Sequence, residues 1–272
     1  MTSFKDKVAI VTGGASGIGR GLCAELGRRD AAVIVADLDG QGAEQVASRI
    51  IATGGRASPG CVDITEIGQV QRLIDATLAE HGRLDFMFNN AGIGIWGDVR
   101  DMTPEDWRRV LDVNLWGVIH GSITAYAVMV KQGFGHIVNT ASLAGVVSVP
   151  TIIPYATAKH AVVGFSTSLR AEAADLGVKV SVVCPGPVRT QFYDSLHVAG
   201  PHRSGPRVPA DALDAGQAAR IILRGVARNT RIIVFPGRAR LTWMVYRILP
   251  SLSARTCRKS VRKLRASRSE ST

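Results

Sequence analysis

Residues 8–19 read Val8-Ala9-Ile10-Val11-Thr12-Gly13-Gly14-Ala15-Ser16-Gly17-Ile18-Gly19, and this stretch decides the fold. A short β-branched run ends at once in glycine-rich sequence. Helical spacing follows, with Leu22 and Leu26 on one face of residues 19–28. A strand, a glycine turn and a helix in that order gather free backbone N–H groups and the positive helix end at one point. A pyrophosphate fits such a point. Glycine suits it because a Cβ would hold the anion away. The spacing is G-x-x-x-G-x-G, so the motif alone also fits a helix-opening turn that binds nothing.

The same short apolar run recurs along the chain, at residues 32–36, 84–88, 135–140, 178–183 and 231–235, and residues 57–62 match it less closely. Longer segments with helical spacing separate these runs; Val70, Ile74 and Leu78 give one example. Thr103-Pro104 reads as an N-cap followed by proline in the first helical turn. Strands that read as continuous apolar runs are buried on both faces. Their alternation with helices predicts an α/β fold with a parallel sheet covered by helices.

The chain has 272 residues, 46% apolar and 20% charged, which excludes a disordered chain and a disulfide-stapled miniature. Cys23, Cys61, Cys184 and Cys257 are scattered, which fits a reduced, cytoplasmic compartment. The first seven residues are too short and polar for a signal peptide, and no run of 18 apolar residues suggests a spanning helix. The +11 net charge is unevenly spread. Residues 1–200 hold 17 basic and 19 acidic side chains, whereas residues 201–272 hold 16 and 3. Any attraction to anionic partners therefore belongs to the tail. The domain reading is a catalytic unit over 1–236 and a basic helical extension over 237–272.

Asp37 follows the second run, 18 residues after Gly19. An acid there accepts hydrogen bonds from ribose hydroxyls and repels a 2′-phosphate. Leu38 and Ser16 offer no cation for that phosphate, so NAD(H) is expected over NADP(H). A surface acid at a strand end is the plainer alternative. Tyr155 and Lys159 lie four apart and share a helix face. A free tyrosine is a poor base at neutral pH, and a neighbouring ammonium favours its phenolate. Alone, such a pair commonly just decorates a helix. Ser142 lies 13 residues earlier, Asn114 interrupts an apolar helix, and Asn89-Asn90-Ala91-Gly92 follows a strand. Open α/β sheets bind ligands at such strand ends.

Together with Asp63 and Pro185-Gly186-Pro187-Val188-Arg189-Thr190, these residues occur in the order and at the spacings of one family over about residues 5–236. The chain strongly resembles the short-chain dehydrogenases/reductases. That resemblance implies a single-domain, Rossmann-type, doubly wound sheet of seven parallel strands. It implies hydride transfer between a nicotinamide cofactor and an alcohol or ketone. It makes Tyr155 the general acid/base and Lys159 the ribose contact that lowers the Tyr155 pKa. Ser142 would bond the substrate oxygen, and Asn114 would hold a relay water. Gly13, Gly17, Ile18 and Gly19, with Ser16 among them, would line the pyrophosphate. Asp63 would meet the adenine amino group, and Asn90 and Gly92 the adenosine and ribose side. Val188 and Thr190 would hold the carboxamide, with Pro185 and Gly186 shaping the turn. A homodimer or homotetramer is implied as well.

The remaining residues read more plainly. The histidines (His81, His120, His136, His160, His197 and His202) show no metal spacing, so structural roles and no metal are expected. Cys184 reads as a buried small residue. Trp96, Trp107 and Trp116 suit core or interface positions, and Trp96 could also touch substrate. By the same resemblance residues 191–208 would be the family's variable substrate lid, with a surface loop that has no part in selectivity as the plainer alternative. Phe192, Tyr193, Leu196 and Val198, with Ile152 and Ile153, predict a hydrophobic alcohol or ketone of lipid, steroid or terpenoid type. A nicotinamide-binding adaptor tethered by its tail is the alternative, and the complete Asn114, Ser142, Tyr155 and Lys159 set argues against it. In the tail, Leu241, Met244, Val245, Ile248 and Leu249 recur at helical spacing with Trp243 and Tyr246, and Pro250 breaks the run. Cys257, Val261 and Leu264 recur among Arg255, Arg258, Lys259, Arg262, Lys263 and Arg265. Two basic amphipathic helices fit peripheral contact with an anionic membrane. They equally fit a helix folded over the active site or against a subunit neighbour. Nucleic-acid binding is the less favoured reading.

Overall fold

A computed structural model describes residues 3–200 and 205–269. Seven strands form one sheet: β1 (Val8–Thr12), β2 (Ala32–Asp37), β3 (Arg56–Cys61), β4 (Phe86–Asn89), β5 (Gly135–Thr140), β6 (Val178–Pro185) and β7 (Ile232–Phe235). Their order is β3-β2-β1-β4-β5-β6-β7, and every adjacent pair is parallel. The chain starts in the middle, winds one way through β3, then returns to build the other half. This is the Rossmann-type doubly wound sheet, with its switch point between β1 and β4.

Alternation along the strands splits the core into two layers. Ala9, Val11, Val33, Val35, Phe86 and Phe88 face one side. There they meet Leu22 and Leu26 of α1 (Gly17–Gly27), Val46 and Ile50 of α2 (Gly40–Ala52), and Ile222 and Val226 of α7 (Ala215–Ala227). Val8, Ile10, Ile34, Met87 and Ile137 face the other side. They pack on Val70 and Ile74 of α3 (Ile67–His81), Met129 of α5 (Gly117–Gln132) and Leu169 of α6 (Ile153–Glu172).

Thr103 caps α4 (Pro104–Leu111) in a reciprocal box with Asp106, with Pro104 in the first turn, as its sequence predicts. A wide π-type turn at Asp112–Trp116 joins α4 to α5. The continuous helix over Pro104–Gln132 is long and apolar enough to cross a membrane by length and composition. Sequence reading had no such helix, because glycines and single polar residues interrupt its apolar runs. Its buried side chains, among them Val110, Val118 and Met129, pack within the domain, so it is a core helix here. The tail forms α8 (Gly237–Ile248) and α9 (Pro250–Ser269), with Pro250 as the first residue of the second helix. Side chains of Lys263 from the predicted basic face and Leu264 from the apolar one lie outside the described set, as do residues 201–204 with His202.

Candidate active site

The C-terminal ends of β1, β4, β5 and β6 open into a cavity of about 880 Å³. It is lined by Gly13, Ser16, Gly17 and Ile18, by Asp37 and Asp63, and by Asn90 and Gly92. Further along its wall lie Ser142, Tyr155, Lys159, Pro185, Gly186, Val188 and Thr190. One continuous wall thus gathers all but two of the expected cofactor and proton-transfer residues, Gly19 and Asn114, while Ile153 and Val198 of the expected substrate side lie outside it. Gly19 and Asn114 stand directly behind it.

Gly19 supports the turn from below, since a Cβ there would strike the Gly13 carbonyl oxygen. Gly13 sits at φ +65°, and a Cβ would lie 2.8 Å from Ala91 Cα. A side chain at either position would collapse the turn. Thr12 and Asn90 hold that turn against β4. The Thr12 hydroxyl accepts from the Asn90 and Ala91 amides at 3.0 and 3.2 Å. The Asn90 side-chain amide donates to Thr12 O at 3.1 Å, and its carbonyl oxygen accepts from the Thr140 hydroxyl at 3.4 Å. Asn90 therefore positions the glycine turn as well as lining the cavity. Thr12 carries the one hydroxyl of its apolar run, and nothing local names Asn90 and Ala91 as its partners.

Asp37 stands at the end of β2, its carboxylate accepting from the Ala15 amide at 2.9 Å and the Asp39 amide at 3.1 Å. It fastens the glycine turn to the second strand and presents its negative charge to the cavity. Asp63 accepts from the Thr65 amide at 2.9 Å and the Thr65 hydroxyl at 2.7 Å. Both acids stand at one end of the cavity, with the glycine turn between them and the tyrosine.

Asn114 is fully buried in the π-type turn and commits both side-chain groups to one residue. Its oxygen accepts from the Ile93 amide at 2.8 Å, and its nitrogen donates to Ile93 O at 2.7 Å. The desolvation that its apolar surroundings impose is thereby met, and the loop after β4 is pinned. Its side chain is a strut for the cavity wall.

Tyr155 and Lys159 enter from the first turns of α6, one turn apart. Lys159 is buried and donates to Thr140 O at 2.9 Å, and its ammonium lies 5.6 Å from the Tyr155 ring centre. Burial lowers the Lys159 pKa to about 8. Burial pushes the Tyr155 phenol up to about 12, and the hydrogen bond from the Ser142 side chain pulls the other way. The expected lowering of Tyr155 by Lys159 is therefore not the balance in the chain alone. Phe192, with its ring centre 5.5 Å from that of Tyr155, helps to keep the phenol dry. Ser142 caps a short turn by accepting from the Ala144 amide at 3.1 Å, which fixes its hydroxyl next to Tyr155. Cys184 is a buried thiol behind this group.

Around Tyr155 the wall is apolar: Ile93, Trp96, Leu143, Val149, Ile152, Phe192 and Leu196. Trp96 is thus a cavity residue, whereas Trp116 is exposed. His197–Val198 pairs with Ile95–Trp96 in a short parallel bridge, tying the segment after β6 to the loop after β4. His136 is buried and bonds Ser181 Oγ at 2.9 Å; since that hydroxyl donates to Thr230 O, the ring donates through Nε2. Burial holds it neutral, with a pKa near 3. Among the described residues no cluster of His, Cys, Asp or Glu could hold a metal.

The residues present fit a dinucleotide. Two glycines at positive φ, Gly13 and Gly17, open the turn where a Cβ would close it, and two acids flank one end of the cavity. The buried Lys159 and the half-buried Tyr155 and Ser142 stand along the same wall. Comparison with known proteins agrees. The short chain dehydrogenase family profile matches residues 7–198. Cyclohexanol dehydrogenase of Acinetobacter sp. is 35% identical over 197 residues, covering 72% of this chain and 78% of that protein. A Mycobacterium tuberculosis protein provisionally named as an oxidoreductase, SadH, is 33% identical, covering 97% of this chain and 98% of its own, tail included. The crystal structure of a short chain dehydrogenase/reductase from Burkholderia phymatum in complex with NAD superposes with a TM-score of 0.86 at 30% identity. It covers 93% of this chain and 96% of that one. The chain belongs to the short-chain dehydrogenase/reductase family and is an oxidoreductase with a nicotinamide-binding Rossmann fold.

Proposed function

We propose that the protein interconverts a hydrophobic secondary alcohol and its ketone with NAD(H), Tyr155 serving as general acid/base. The observation that carries this is the meeting of Ser142, Tyr155 and Lys159 on the apolar part of a cavity that the glycine turn, Asp37 and Asp63 also line. When bound, the nicotinamide supplies or accepts the hydride. The Ser142 hydroxyl orients the substrate oxygen toward the Tyr155 phenol. Tyr155 gives its proton to a ketone oxygen or takes one from an alcohol. Lys159, held by Thr140 O, presents a buried cation beside the phenol and favours its ionised form when proton abstraction is needed. Asp37 favours NAD(H), because its carboxylate would face a 2′-phosphate in the alternative cofactor.

The apolar wall supports a lipid-, steroid- or terpenoid-like substrate, in keeping with relatives named for cyclohexanol and levodione. A homodimer or homotetramer is part of the same reading, and exposed Trp116 and Ile123 on the α4–α5 helix offer it apolar surface. The cytoplasm is its expected compartment. The complete set of Asn114, Ser142, Tyr155 and Lys159, the last three lining one cavity, argues against the adaptor alternative. Tyr155→Phe is the decisive variant. Turnover on a panel of secondary alcohols and ketones should fall by about 10³ or more while NADH binding, followed by fluorescence, is kept. Retained turnover would remove Tyr155 from its role.

A further inference from the structure

Helix α8 carries an apolar stripe that nothing in the described chain covers. Leu241, Met244 and Ile248 recur at spacings of three and four and are 61%, 51% and 72% exposed, and Leu249 follows at 52%. The other side of α8 is the packed one. Ala239 is buried against Gly186, and the Tyr246 hydroxyl meets Ser148 Oγ at 3.0 Å. Helix α9 divides in the same way. The Cys257 thiol donates to Ser148 O at 3.5 Å, and Arg265 donates to buried Asp98 at 2.9 Å. Arg255, Arg258, Lys259 and Arg262 are exposed, as are Arg240 and Arg247 beside the stripe. Residues 237–272 hold ten basic side chains and one acidic.

The two anchors place this pair of helices at the cavity. Ser148 immediately precedes Val149, and Asp98 stands two residues after Trp96; both neighbours line the apolar wall. Three occupants compete for the stripe, and charge with polarity separates them. Arg265 pairs with Asp98 and Arg238 with Asp211, but a second copy of the chain would still bring exposed Arg240, Arg247, Arg255, Arg258, Lys259 and Arg262 against a surface of the same charge. Nucleic acid would neutralise the arginines but leave Leu241, Met244 and Ile248 without an apolar counterpart. An anionic bilayer supplies both phosphate charge and an acyl boundary.

We propose that α8 and α9 dock on an anionic membrane surface, with Leu241, Met244, Ile248 and Leu249 in the acyl boundary and the exposed arginines and lysine at the headgroups. The mouth of the apolar cavity then lies beside a phase in which a hydrophobic substrate concentrates. This consequence for substrate supply rests on the proposed function, whereas the docking itself does not.

The test uses the full chain in flotation with vesicles of phosphatidylcholine alone or with about one third phosphatidylglycerol. Binding to the anionic vesicles should exceed binding to the neutral ones by about tenfold or more and weaken in high salt. Leu241→Gln, Met244→Gln and Ile248→Gln together should lower binding about tenfold or more. Their melting curve should match wild type, because the three side chains are already exposed. The second variant replaces Arg255, Arg258, Lys259 and Arg262 with Gln. Each charge near the surface is worth roughly fivefold, so this chain should lose binding almost entirely. Equal binding to both vesicle types would overturn the proposal, as would unchanged binding by either variant. A wild-type chain that ignores vesicles but forms a concentration-dependent oligomer broken by the triple change would assign the stripe to a second copy. Duplex DNA bound as tightly as vesicles, and equally by the triple variant, would assign the basic face to nucleic acid. None of these readouts involves turnover, so failure here and failure of the redox reading are told apart.

Discussion

Replacing Lys159 with methionine is expected to stabilise the ligand-free protein while ending its catalysis. Burial lowers the lysine from 10.5 to about 8. At about 1.4 kcal/mol per unit, keeping that ammonium charged at neutral pH costs the fold about 3 kcal/mol. Methionine fills the same slot with a flexible apolar chain. Losing the donor at 2.9 Å leaves Thr140 O one partner short, a cost of about 1 kcal/mol. The net gain at pH 7 is therefore about 2 kcal/mol. Its pH dependence follows from the sign of the shift. The folded-state pKa lies below the unfolded one, so the penalty on wild type is complete below about 8 and fades as pH rises toward 10.5. Urea unfolding of both proteins at pH 7 should show the variant more stable, and at about pH 10 the two curves should nearly coincide. A variant less stable at pH 7, or an advantage of equal size at both pH values, would refute the reasoning. Such a result would mean that the buried ammonium is compensated within the chain. A stability gain bought with function is the usual mark of a charge held for catalysis.

Two further outcomes bear on the same site. Asp37→Ala should raise the ratio of NADP to NAD efficiency by about tenfold or more, measured as kcat/KM with each cofactor; an unchanged ratio would show that the β2 carboxylate does not choose between them. Tyr155 stays protonated up to about 12, so alcohol oxidation, which needs the phenolate, should accelerate from pH 7 to 10, whereas ketone reduction, which needs the phenol, should stay level or fall. An oxidation rate highest at acidic pH would contradict that assignment.

Much of the site was legible because its signals are local. The glycine turn shows in residues 12–19, since steric demands of a strand–turn–helix junction act over a few residues. The pairing of Tyr155 and Lys159 shows through helical spacing, and the helix start at Thr103-Pro104 through capping chemistry, whereas the answering bond from Asp106 came from the structure. The single buried asparagine in an apolar helix, Asn114, announced a partner without naming it. Its partner, Ile93, comes from the loop after β4, 21 residues away, and no local rule selects it. The seven short runs predicted seven strands, yet the switch point between β1 and β4 emerges only when the sheet is assembled.

Sequence alone thus determined the element order, the glycine turn, the placing of Tyr155 and Lys159 on one helix face and the family, because these follow from short-range sterics, periodicity and fixed spacing. Tertiary structure decided that Tyr155 is raised and Lys159 lowered, because desolvation depends on what packs around a group and not on its neighbours in the chain. It decided that Thr12 and Asn90 brace the turn. It also showed which side of the tail faces inward, since Ser148 and Asp98 lie about a hundred or more residues from the groups they hold. An amphipathic pattern specifies that a helix has two faces, and only the folded chain selects which of them is covered.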